Sequence, residues 1–155
     1  MFSTGWPVDF TVRTGRSPVI SIVIADDHPI IRDGLRVLLS REEDFDVVGE
    51  ASDGREVLDR LQESDPDILL LDLDMPRMDG LNVLQELQQS ANATKVILLT
   101  ASEDRRHYVQ AMELGCSGIV LKHTGLGLIA ESIRKVSKGE LWLDAFWWPE
   151  SGTVH

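Results

Sequence analysis

Two aspartates, Asp26 and Asp27, follow directly on the apolar run Val19–Ala25. A third, Asp72, closes another such run in the stretch LLLDLDMPRMDG. Three carboxylates sharing one crevice repel by roughly 4 kcal/mol per pair at 4 Å and an effective dielectric near 20. Such a site either keeps some carboxyls protonated or holds a hard divalent cation. Oxygen ligands without a His or Cys cluster favour Mg2+ or Mn2+. Two further residues end apolar runs: Thr100 in KVILLTAS and Lys122 in GIVLKH. A hydroxyl donor and a cation beside the carboxylates suit a phosphoryl group carried on Asp72. The metal and Lys122 would offset its charge, and Thr100 would donate to one of its oxygens. Taken singly, each Asp is as readily a turn former or helix cap, and Lys a solvated charge. Their recurrence at matching positions is what points to chemistry.

The elements that must position these residues are legible in the apolar pattern. Val19–Ala25, Phe45–Ala51, Asp67–Leu73, Thr94–Thr100 and Ser117–Leu121 are short and mostly rich in Val, Ile and Leu. Three are almost continuously apolar, as strands buried on both faces of a parallel sheet are. Between them run helical stripes: Ile31, Leu35 and Leu38; Leu58 and Leu61; Leu84 and Leu87; Val109 and Met112; Ile129, Ile133 and Val136. Asp53 with Glu56, Asp79 and Ser102 stand where helix N-caps belong. Pro29 fits a first helical position, and Gly115 and Gly139 fit just past helix ends. Alternating β and α with right-handed crossovers predicts an α/β, doubly wound parallel sheet of five βα units. Ligands of such sheets bind beyond the carboxyl ends of the strands, where the strand order reverses.

Composition excludes several classes. The chain has 155 residues, 15 Lys plus Arg against 26 Asp plus Glu, and a formal net charge of -11. DNA affinity rests on Lys and Arg neutralising phosphates, so these residues are a poor DNA binder by themselves. A lone cysteine, Cys116, forbids an internal disulfide. No apolar run approaches the roughly 20 residues of a membrane span. Residues 1–18 lack the apolar stretch of a signal peptide, which places the protein in the cytoplasm. They read as a poorly ordered leader, 19–139 as the folded domain, and 140–155 as a tail. That tail holds Trp142, Trp147 and Trp148. It is either a strand-like or irregular segment laid on the last helix, or an apolar surface against which a second domain docks.

At the residues that carry the chemistry, the chain closely resembles the receiver domain of two-component response regulators. The resemblance rests on IADDHPIIRDGL, LLLDLDMPRMDG, ILLTAS and GCSGIVLKH in that order and covers about Val19 to Gly139. The DDHP and DGL details are most similar to the NarL/FixJ subfamily, whose receivers usually precede a LuxR-type helix-turn-helix domain. It implies a flavodoxin-like (βα)5 fold with strand order 2-1-3-4-5. It makes Asp72 the acceptor of phosphoryl from a sensor histidine kinase. Asp27, Asp72 and the backbone carbonyl of Asp74 would ligate Mg2+, with Asp26 acting through a water. Lys122 would pair with the phosphoryl group, and Thr100 would move toward it as the switch. Asp74 and Ser102 occupy positions that tune acyl-phosphate lifetime. Three residues before the lysine, where many receivers carry Tyr or Phe, this chain has Ile119. Dimerisation through the first and last helices is implied by analogy. LWLDAF looks like the start of the linker to a DNA-binding domain absent from these residues.

Other readings remain open at this level. ILLLDLDMP mimics the D-x-D signature of haloacid-dehalogenase phosphatases, although Asp26 and Asp27 precede it where those enzymes' further acidic motif follows. A pseudo-receiver or standalone receiver would serve as an interaction module without turnover. His28 is a turn residue before Pro29 or a metal ligand, and Cys116 reads as a packing residue. Arg105, Arg106 and His107 form either a solvated face or part of a partner surface.

Overall fold

A computed structural model of the protein describes residues 19–90, 92–102, 104–123 and 126–143. The leader 1–18 and the tail beyond Leu143, with Trp147 and Trp148, lie outside the described residues. In chain order the elements are β1 (Ile20–Ala25), α1 (Pro29–Ser40), β2 (Phe45–Ala51), α2 (Gly54–Ser64) and β3 (Ile68–Asp72). They continue with α3 (Gly80–Gln89), β4 (Lys95–Thr100), α4 (Arg105–Glu113) and β5 (Gly118–Leu121). A 3-10 turn (Leu126–Leu128), α5 (Ile129–Ser137) and β6 (Trp142–Leu143) complete the set. All strand pairs are parallel, in the order β2-β1-β3-β4-β5-β6.

Side chains alternate across the sheet, so the inner strands feed two cores. Val23, Ala25, Leu69, Leu71, Leu98, Ile119 and Leu121 pack with Val57, Leu61, Val83, Leu84, Leu87, Tyr108 and Ala111 of α2–α4. Ile22, Ile24, Ile68, Leu70, Ile97, Leu99 and Val120 pack with Leu35 and Leu39 of α1 and Ile129, Ile133 and Val136 of α5. Two helices on one face and three on the other is the doubly wound arrangement.

The sheet has six strands among the described residues, not the expected five. Gly139, at φ +95, turns the chain back after α5, and Trp142 and Leu143 then pair with Gly118 and Ile119. Gly118 permits this close approach: a Cβ there would lie 3.1 Å from the Trp142 carbonyl oxygen. Trp142 also packs against the α1/α5 core, as expected of a strand-like segment laid on the last helix.

Local signals fared unevenly. Asp53 and Asp79 cap α2 and α3 by accepting from the Glu56 and Asn82 amides, and Pro29 opens α1. Gly115 and Gly139 take the left-handed conformation just past α4 and α5. Ser102 is not a cap. Asp104 caps α4 instead, accepting from the Arg106 amide, because the loop after β4 runs two residues further. The inward stripe of α4 is Tyr108 and Ala111, whereas Val109 is exposed.

The loop from β3 to α3 returns hard against the strand it left. A Cβ on Gly80 would meet the Asp72 carbonyl oxygen at 2.7 Å, whereas one on Gly34, in α1, would meet nothing within 4 Å. Opposite outcomes follow for the same substitution. Gly80→Ala should lose about 1–3 kcal/mol of stability through overpacking. Gly34→Ala should gain up to about 1 kcal/mol of helix propensity. Urea unfolding monitored by circular dichroism measures both.

Candidate functional site

Parallel register brings Asp26, Asp72, Thr100 and Lys122 to the carboxyl end of one sheet. Asp72 is the last residue of β3 and Thr100 the last of β4. Asp26 and Asp27 follow β1, and Lys122 follows β5. Asp26, Asp72 and Thr100 are fully or almost fully buried, and Asp27 is half-buried. The Lys122 ammonium lies between the two buried carboxylates, 2.8 Å from Asp26 Oδ2 and 3.2 Å from Asp72 Oδ1. Both carboxylates are also held locally by backbone amides. Asp26 Oδ1 accepts from the His28 amide at 2.8 Å and faces its Nδ1 at 2.9 Å. Asp72 Oδ1 accepts from the Asp74 amide at 3.2 Å.

Charge in this pocket is not balanced. Burial, then the Asp26 charge, pushes the Asp72 carboxyl up to about 6, and Lys122 only partly opposes this. For Lys122, burial disfavours the charged form, but Asp26 and Asp72 outweigh it and keep the ammonium above its ordinary range. His28 is likewise raised, first by its hydrogen bond to Asp26 and then by the Asp27 charge.

The oxygens meet the requirements of a hard cation. Asp72 Oδ2 is buried and accepts no hydrogen bond, while the buried Asp26 Oδ2 has only the Lys122 ammonium beside it and Asp27 Oδ1 only His28 Nδ1, at 3.1 Å. Asp26, Asp27, His28 and Asp72 each offer a ligand atom within 4.8 Å of the others. Three carboxylates against one ammonium leave an excess that a divalent cation fits. His28 precedes Pro29 at the start of α1, as a turn residue there would, and its ring nitrogen also lies beside the acidic group. Asp74 is exposed, and its amide serves Asp72.

Thr100 sits in a second network. Its Oγ1 accepts from the Ser102 amide at 2.9 Å. The Ser102 hydroxyl accepts from the Asp104 amide at 3.1 Å and lies 3.2 Å from His107 Nδ1. The Tyr108 hydroxyl donates to the Ser102 carbonyl oxygen. Ser102 thus ties the loop after β4 to α4, which its residue type alone did not reveal. Ile119 is buried beneath this region, in register with Leu98 and Leu143. Arg105, Arg106 and His107 do not form a bare basic face. Arg106 pairs with Asp104 at 2.8 Å and holds that carboxyl down at about 2. Cys116 is a packing residue: its thiol donates to Met112 Sδ at 3.6 Å, and burial pushes it up to about 12.

Sequence reasoning passed over Arg77. Its guanidinium donates through Nε at 3.0 Å and Nη2 at 2.7 Å to Asp53 Oδ2, across from the acidic pocket's loop to the start of α2. A basic residue inside MPRMDG was the available signal.

A doubly wound parallel sheet with a buried acidic cluster and a lysine at its carboxyl end defines a class of α/β domain whose site suits a hard cation. Comparison with known proteins makes this specific: residues 22–134 match the family model described as the response regulator receiver domain, to which the chain belongs. It is 39% identical over 121 residues to the transcriptional regulatory protein YhcZ of Bacillus subtilis, covering 78% of this chain and 56% of that one. It is 35% identical to the oxygen regulatory protein NreC of Staphylococcus haemolyticus, covering 81% of this chain and 58% of that one. The chain thus spans somewhat over half the length of these relatives. Its structure is similar to the signal receiver domain of the response regulator NarL from Mycobacterium tuberculosis, with TM-score 0.76 and 33% identity over 80% of this chain and all of that one. It is similar also to RcsB from Salmonella enterica serovar Typhimurium, described as bound to a promoter in the presence of phosphomimetic BeF3-. There the TM-score is 0.74 with 29% identity over 85% of this chain and 63% of that one. Membership in this family replaces the phosphatase alternative. No helix among the described residues is long and apolar enough to cross a membrane.

The pocket's repulsion yields a stability prediction. A carboxyl raised in the folded state favours folding below its unfolded value and loses that contribution as pH rises through about 6. In metal-free buffer at pH 7.5, Asp72→Asn should therefore raise the melting temperature by several degrees. The gain should shrink as pH falls below about 6, where wild-type Asp72 takes up its proton. Paired thermal scans across pH measure this difference.

Proposed function

We propose that this chain accepts a phosphoryl group on Asp72 from the phosphohistidine of a sensor kinase and passes the change to an output that controls transcription. One observation carries the reading: a buried Asp72 oxygen that accepts no hydrogen bond, beside two further aspartates and one ammonium. Asp27, Asp72 and the backbone carbonyl of Asp74 would hold Mg2+ in this reading, and Asp26 would act through a water. The metal would supply charge neutralisation for the acidic pair and the incoming group. The Asp72 oxygen attacks phosphorus, an O–P bond forms, the N–P bond of the phosphohistidine breaks, and the imidazole leaves as the nitrogen base. Lys122, already seated between Asp26 and Asp72, shifts to the new anion, and Thr100 donates its hydroxyl.

The loop after β4 then carries the change outward. For Thr100 to turn toward Asp72 it must give up the bond from the Ser102 amide, and Ser102 is tied to α4 through His107, Tyr108 and Asp104. Ile119 offers an aliphatic side chain in place of a rotating ring, so the readout runs through this loop. Asp74 and Ser102, beside the acceptor and the threonine, set the lifetime of the acyl phosphate. Output through a DNA-binding part, cytoplasmic residence and pairing of two copies through α1 and α5 belong to the same proposal. The first of these is supported by relatives named as transcriptional regulators.

Incubation with acetyl phosphate and Mg2+ should add the mass of one phosphoryl group, labile to hydroxylamine, and omission of Mg2+ should prevent it. Asp72→Asn should take up none. Label on the Asn variant would reassign the acceptor, and a wild type inert to every small donor would leave an interaction module.

A further inference from the structure

The β3–α3 loop carries strain. Arg77 adopts φ +66, and the Met78 amide donates back to the Pro76 carbonyl at 2.7 Å, closing a tight three-residue turn around it. Turns of this hand are rare and costly for a residue with a side chain. Such a conformation persists only where its surroundings over-determine it. Three contacts do so here. Met78 sits directly on Gly54, where a Cβ would lie 2.3 Å from the Met78 carbonyl oxygen. The Gly80 amide donates to the Leu73 carbonyl at 2.9 Å. The Arg77 guanidinium, on a side chain 68% exposed, converges two donors on Oδ2 of the almost fully buried Asp53.

Asp53 is committed on both oxygens, since Oδ1 accepts from the Glu56 amide at 3.0 Å as the cap of α2. The clamp therefore fastens the loop to a fixed helix end. Within that loop, three residues before Arg77, lies Asp74, whose amide donates to Asp72 Oδ1. Among the described residues, no other charged side chain of the loop forms an ion pair with a neighbouring element.

We propose that Arg77, clamped to Asp53, is a positioning residue that holds the β3–α3 loop so that Asp74 and the Asp72 carboxylate face the cation and the phosphoryl donor. The proposal rests on the reading of the pocket given above. Arg77 touches neither the cation nor the phosphoryl group; it acts through the loop backbone.

The test is Mg2+ titration without any phosphodonor, by calorimetry and amide chemical shifts, with hydrogen exchange at the Asp74 amide as a second readout. Arg77→Gly is the informative variant, because glycine keeps the left-handed turn without strain and removes only the clamp. Arg77→Gly, Arg77→Ala and Asp53→Asn should each weaken Mg2+ binding about tenfold, the low end of what losing an outer supporting residue costs a metal site. The Asp74 amide should exchange faster in each. Arg77→Lys should recover part of the affinity, and the double variant Arg77→Ala, Asp53→Asn should be no weaker than either single. Unchanged Mg2+ affinity in Arg77→Gly, even with a lowered melting temperature, would overturn the positioning role. So would additive losses in the double variant. A wild type that binds no Mg2+ would instead bring down the reading of the pocket, and the proposal with it.

Discussion

Acidic charge confined beyond the end of the sheet is the constraint on which the rest of the structure turns. Asp26 and Asp72 are buried where water cannot screen them, and Lys122 answers only part of their charge. A domain does not accept this arrangement for stability, since buried ion pairs seldom repay their desolvation. The surroundings are arranged to make it tolerable. Two continuous cores hold the strands rigid on both faces. The His28 amide points at the Asp26 oxygen that the lysine does not reach, and the Asp74 amide shares Asp72 Oδ1 with the lysine. The pocket carries more negative charge than its lysine offsets, an imbalance that a divalent cation would fit.

What surrounds the pocket divides into a fixed side and a yielding side. On the β3–α3 side, Gly54 and Gly80 bring backbone against backbone, and the loop has little room to move. On the β4–α4 side, Thr100, Ser102, His107 and Tyr108 are joined by hydrogen bonds that can exchange partners at small cost. On the proposed reading, a change of charge on Asp72 meets resistance on the β3–α3 side and compliance toward α4.

Much of this was legible in the chain. Apolar runs, three of them almost continuous, identified five strands to within a residue at their ends; where a strand is buried on both faces, no polar alternation confuses the pattern. The acidic trio and the lysine were legible for the same reason: each interrupts or ends such a run. The sixth strand was not, since two residues carry no periodicity and depend on the missing side chain of Gly118. The cap of α4 was misplaced by two residues, because Ser102 and Asp104 are both good caps and only the loop's path decides between them. Val109 misled because a β-branched residue at helical spacing reads as core, while Tyr108, with its hydroxyl tied to a backbone carbonyl, fills the space. Arg77 was hidden by type: a surface arginine has no sequence mark of what it grips.

The lysine that seats itself between Asp26 and Asp72 lies 96 positions after the first and 50 after the second. A growing polypeptide that has emerged only through β4 would therefore carry the two aspartates without their ammonium, and the sheet without the strand that delivers it. Partial products of translation, or chains clipped before Lys122, would thus present the acids in an unfinished setting.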